Sequence, residues 1–150
     1  MLCPKFSIFS VLFWLSIIQI GVFVAELVIG GIQPTSFLAA NNQTLEDMGQ
    51  KDPYAMRYNY AFHRFILPMF LHGDLGHLAS NVIAQLMIGS NLEPDIGSLK
   101  FLMLYMLSGI GGITFSALCT DTLSMGASTA VFGLSGCYVA FIVLNYSYLL

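Results

Sequence analysis

Ser124-Met125-Gly126-Ala127-Ser128-Thr129-Ala130-Val131-Phe132-Gly133-Leu134 sets one serine among small residues at the mouth of an apolar run. The run predicts a membrane-spanning helix from about residue 126 to residue 146, so Ser128 falls in its first turn. Thr129, Gly133 and Cys137 recur every four residues along it, a small-residue face suited to close helix packing. Tyr146 and Tyr148 suit the far membrane interface.

Working outward, the neighbouring apolar segments supply the polar groups that answer to Ser128. A span over 99–119 carries Ser108, Gly109, Gly111, Gly112 and Ser116, again a packing composition. Before it, 65–92 is apolar but broken by His72-Gly73-Asp74-Leu75-Gly76-His77. Asp74 reads as an N-cap, and the helix it starts places His77, Asn81 and Gln85 one turn apart on one face. A polar stripe in a span must face protein or water, and polar groups at that depth are by default functional. This helix is expected to end near Gly89-Ser90-Asn91, with Glu93-Pro94 enforcing the stop.

The first span is expected over 6–32, interrupted by Ser16, Gln19 and Glu26. It is longer than a signal-peptide core, so a retained anchor is expected, with Glu26 hydrogen-bonded to a neighbouring span. Residues 33–64 collect prolines, amides and charges and read as a surface loop, and the stretch 54–65, rich in tyrosine, suits the headgroup level. Asn42-Gln43-Thr44 is a glycosylation sequon, usable only on a lumenal or extracellular face. Lys51, Arg57 and Arg64 on this loop, against Lys5 and Lys100 on the other side, leave orientation unsettled by charge.

Composition agrees with a multi-pass integral membrane protein. Hydrophobic residues make up 57% of the 150 and charged ones only 9%, with mean hydropathy +0.78, too little charge to coat a soluble globule. The net charge of −3 shows no basic cluster, so nucleic acid is excluded as a partner, and the lipid bilayer is the expected surrounding. Cys3, Cys119 and Cys137 form no disulfide framework. His63, His72, Asp74 and His77 match no metal-binding spacing, so no metal and no cofactor is expected.

A serine hydroxyl needs an adjacent base to act as a nucleophile, and a tetrahedral oxyanion needs fixed donors about 3 Å away. At a helix start, the Ser128 N–H and its neighbours lack carbonyl partners and the dipole favours negative charge. His77 and Asn81 add side-chain donors, and Gly126 and Ala127 leave room for a substrate backbone. The constellation is that of a hydrolase working inside the membrane. It is no soluble-hydrolase nucleophile elbow, since alanine stands at position 130 where Gly-x-Ser-x-Gly needs glycine.

Taken together, Gly126-Ala127-Ser128, the His72-x4-His77-x3-Asn81 pattern, Leu92-Glu93 after the second span and Arg64 in the preceding loop resemble the rhomboid intramembrane serine proteases. The resemblance runs over nearly the whole chain. It implies an all-α polytopic membrane protein, a rhomboid-like helical bundle, here a single partial domain over 1–150 with about four spans. It implies that Ser128 is the nucleophile, that His77 and Asn81 hold the oxyanion together with the Ser128 N–H, and that His72, Gly126, Arg64 and Glu93 support them. It also implies single-span membrane proteins as substrates and places the Asn42 loop on the non-cytosolic side. His63 stands where the family has tryptophan, and Thr129 where many members have glycine.

One departure is larger. The family's general base is a histidine on a sixth span, and this sequence has no histidine after His77. The chain is therefore expected to be the N-terminal portion of an enzyme, nearly inactive alone, since loss of one catalytic member leaves about 10³–10⁴-fold acceleration in the soluble serine proteases. A non-catalytic relative that binds membrane-protein helices is the alternative. A transporter or channel subunit is a third, disfavoured because Glu26 is the lone ionised group deep in a span other than the histidine stripe.

Overall fold

Ser10 starts the first helix by accepting the N–H of Phe13 on its hydroxyl at 3.1 Å, and α1 then runs Val11–Gly30. The computed structural model describes residues 8–146; Cys3 and Phe6 at one end and Tyr148 at the other lie outside them. The predicted surface loop holds two short helices, α2 (Asn42–Asp47) and α3 (Pro53–Tyr58), followed by 3₁₀ turns at Phe62–Phe65 and Leu67–Met69. Asn41 caps α2, and Asp52 with Pro53 starts α3, so short polar residues build local structure that hydropathy does not register.

Three long helices follow: α4 (Leu75–Ile96), α5 (Ser98–Cys119) and α6 (Ser128–Leu144). By length and apolarity, α1 and α5 can each cross a bilayer, and α6 is a shorter apolar helix of 17 residues. With 22 residues α4 is as long as α5, but it carries the polar stripe and turns it inward, where Asn81, Gln85 and Glu93 are buried. It packs against α1, α5 and α6. The α1–α4 contact is built on amides: Gln19 and Gln85 are bonded to each other, and Tyr105 and Ser16 complete the cluster.

The expected stop of this helix near residue 91 is corrected by the structure. The helix continues through Pro94 to Ile96 and ends at Gly97, whose φ of +86° few other residues adopt. Proline removes one backbone bond in the last turn, but Glu93 holds that turn in place. Its carboxylate accepts the N–H groups of Val11 at 2.8 Å and Leu12 at 3.0 Å and the Ser98 hydroxyl at 2.6 Å, and so caps α1 from outside.

The α5–α6 contact is glycine-mediated. Gly109 lies against Met69 and Ala130, Gly112 against Thr129, and Gly133 against Ser108, with no space for a β-carbon at any of the three. Phe101, Tyr105, Leu92, Met69 and Leu134 fill the core between the helices. On the loop side, Thr44 of α2 is buried against Gly30.

Candidate active site

The chain enters α6 through a tight turn. Gly126 has φ +117°, and its N–H donates to the Pro68 carbonyl at 2.7 Å. Ala127, fully buried, is the N-cap residue and offers no side-chain acceptor. The first-turn N–H groups of α6, beginning with that of Ser128, are thus left without a capping group, as an anion site requires. Ser128 is half-buried, and its hydroxyl makes no hydrogen bond among the described residues.

The α4 stripe meets this turn. Asp74 fixes the start of α4 by accepting the His77 N–H at 2.8 Å, which sets the rotation of the helix. A β-carbon built on Gly126 would lie 2.6 Å from both Cε1 and Nε2 of His77 and 3.7 Å from Nδ2 of Asn81. The absent side chain of Gly126 is therefore the space that the imidazole fills. Asn81 donates one amide hydrogen to the His77 carbonyl at 2.9 Å, which orients its side chain and leaves its second hydrogen without an acceptor among the described residues. His77, Asn81 and the α6 N-terminus thus converge within two residues of Ser128. Gln85, one turn further on the same stripe, is not part of this group and belongs to the Gln19 cluster.

His72 lies behind His77, fully buried, with ring centroids 5.3 Å apart and edge to face. Its backbone N–H donates to Glu26 at 3.2 Å, so Glu26 of α1 is tied to the segment entering α4. One carboxylate oxygen of Glu26 and Nε2 of His72 have no protein partner among the described residues.

Two candidates sit elsewhere. Glu93 caps α1 from the far end of α4, about 24 Å along the helix from His77 at 1.5 Å per residue. Arg64 donates to the Gln50 carbonyl at 2.7 Å and braces the surface loop. Lys100, in the first turn of α5, lies at the opposite end of the bundle from Ser128, since α5 and α6 run antiparallel. Among the described residues no group of three histidine, cysteine, aspartate or glutamate side chains is placed to hold a metal ion.

Lys51 was not singled out by the sequence. It is 1% exposed, its amine donates to Ser116 at 2.8 Å and Thr120 at 3.4 Å, and its backbone exchanges two hydrogen bonds with Ser124. Removal from water holds its amine below the ordinary value of 10.5, opposed by the nearby Asp121 carboxylate. The one trace of this arrangement in the sequence is the pair of hydroxyl residues four apart at the end of an apolar helix.

A family model, the Rhomboid domain, matches residues 59–150. "Rhomboid-like protease 2" of Toxoplasma gondii is 34% identical over 145 residues, which cover 95% of this chain and 50% of that protein. "Rhomboid-like protease 1" of the same organism is 33% identical over 148 residues, or 97% of this chain and 49% of the relative. "RHOMBOID-like protein 1" of Arabidopsis thaliana is 28% identical over 146 residues, 97% of this chain and 35% of the relative. The chain spans half or less of the length of these relatives.

Proposed function

Because this chain belongs to the rhomboid family of integral membrane proteins, we propose that it carries the nucleophile half of an intramembrane serine endopeptidase that cleaves transmembrane helices of membrane proteins. The observation that carries this reading is the meeting of His77 and Asn81 at Gly126, beside the uncapped N-terminus of α6 that bears Ser128.

In this reading the Ser128 hydroxyl, giving its proton to a base, attacks the scissile carbonyl; the C–N bond then breaks, the amine leaves with that proton, and water hydrolyses the acyl-enzyme. The oxyanion that develops is held by the Ser128 N–H with donors from His77 and Asn81, and such a donor is worth about 10²–10³ in rate. His72 backs His77, and Gly126 keeps the space open. Arg64 and Glu93 act at a distance, through loop and helix position. Residues 1–150 form one partial catalytic domain, and the proton acceptor for Ser128 is a group outside them. The 150-residue chain by itself is therefore nearly inactive. A substrate helix must unwind to present a peptide bond, so small or helix-breaking residues near the cleavage site favour the reaction. A substrate series in which those residues become leucine should lose cleavage; unchanged cleavage overturns this point.

The second reading is a non-catalytic family member that binds membrane-protein helices. Fluorophosphonate labelling of native membranes, with Ser128→Ala as control, separates the two. Label on a Ser128-dependent species larger than 16.4 kDa supports the protease. Label at 16.4 kDa overturns the claim that the chain is inactive alone, and no label at any mass supports the binding protein.

A further inference from the structure

The surface loop and the connection between α5 and α6 are joined at Lys51. Its N–H donates to the Ser124 carbonyl at 2.8 Å and its carbonyl accepts the Ser124 N–H at 3.2 Å, a two-residue antiparallel bridge. Its side chain runs the other way, into the protein, and ends on Ser116 in the last turn of α5 and on Thr120, the C-cap residue. The two attachments grip both ends of one short segment: α5 before it, and Ser124, two residues before Gly126, within it.

Simple capping does not account for this. Arg57 already serves the C-terminal end of α5 from the surface, donating to the Ala117 carbonyl and pairing with Asp121 at 3.2 Å. A lysine that is 1% exposed, with hydroxyls instead of a carboxylate as the direct partners of its ammonium group, is costly to keep. Such a cost is retained where it specifies one geometry.

We infer that Lys51 is a positioning residue for Ser128, holding the α5–α6 connection in the register that sets Gly126 beneath the His77 ring. The inference rests on Ser128 being the nucleophile, and it adds the surface loop to the parts that shape the site. The loop acts through Lys51 on Ser124, and through Ser124 on the turn at Gly126. Neither Lys51 nor Ser116 touches the reacting atoms.

The test is hydrogen exchange read by mass spectrometry on the solubilised protein, comparing native protein with Lys51→Met, Ser116→Ala and the double variant. Lys51→Met should speed exchange of the Ser124–Gly126 amides about tenfold, while α1 and α4 stay as protected as before. Ser116→Ala should give a smaller rise in the same amides, and the double variant no more than Lys51→Met alone. Fluorophosphonate labelling of Ser128 in native membranes should slow about tenfold in Lys51→Met and recover in part in Lys51→Arg. Unchanged exchange at 124–126 overturns the inference, as does a rise spread evenly over α1 and α4, which would make Lys51 a general stabiliser. Failure to label native protein overturns the protease reading, and exchange then decides the role of Lys51 alone.

Discussion

Gln19 of α1 and Gln85 of α4 exchange two side-chain hydrogen bonds, at 2.8 and 3.2 Å, deep in the bundle. An amide pair of this kind satisfies both partners at once and tolerates no slip between the helices. Tyr105 of α5 and Ser16 add a third and a fourth contact, so three helices are registered through one polar cluster. Gln85→Leu should lower stability by about 1–2 kcal/mol, since it leaves the Gln19 Oε1 without its donor in an apolar surrounding, while the Gln19 amide nitrogen keeps Tyr105. A double-mutant cycle with Gln19→Leu, read by unfolding in mixed detergent, should show a coupling of about 1 kcal/mol; zero coupling would remove the pair as a registering contact.

Gly126→Ala tests the site most directly. The added methyl group meets the His77 ring and the backbone must also hold φ +117°, so either the ring or the turn is displaced. Ser128-dependent labelling in native membranes should fall about 100-fold, the cost of losing one oxyanion donor, with the helical content unchanged. Labelling at the native rate would show that His77 is not needed where it sits.

Glu93 gives the opposite expectation. Glu93→Ala leaves the Val11 and Leu12 N–H groups unpaired inside the protein and should cost about 2 kcal/mol. Under conditions where the variant stays folded, the labelling rate of Ser128 should match native protein. A selective loss of labelling in folded protein would move Glu93 into the catalytic group.

Lys51 sets a pH dependence whose sign is fixed by burial. Its folded-state pKa lies below 10.5, so between that lowered value and 10.5 the unfolded chain binds more protons than the folded one. Stability from this group therefore rises with pH across that window and is level on either side. The burial penalty is fully present below the folded value. Comparing native protein with Lys51→Met isolates the effect: the stability difference should shift in favour of native protein as pH rises from neutral towards 10.5. A difference independent of pH would mean that the amine is solvated.

The residues that could be read from the sequence are those whose signal is local. Asp74 as an N-cap, the one-turn spacing of His77 and Asn81, and the small residues around Ser128 each follow from a few neighbouring positions. The packing face at Thr129 and Gly133 was legible for the same reason. Glu93 was named through the family resemblance, but its capping of α1 was not legible, because Val11 and Leu12 lie more than 80 residues earlier and a helix-breaking Pro94 beside it argued for a stop. Lys51 reads as an ordinary loop charge until the fold brings Ser116, Thr120 and Ser124 around it. The helices α2 and α3 are only six residues each and are set by their caps, so a reading based on long apolar runs passes over them.

The burial of Thr44 against Gly30 bears on when the sequon at Asn42 is open to modification. Asn42 is exposed, but the threonine that a sugar-transferring enzyme must also engage is buried in α2, so a glycan is expected to be attached before α2 docks. If this loop enters a glycosylating compartment, the fraction of molecules shifted by a deglycosidase reports how long the loop stays open after synthesis. Gly30→Val, which denies Thr44 its berth, should raise that fraction.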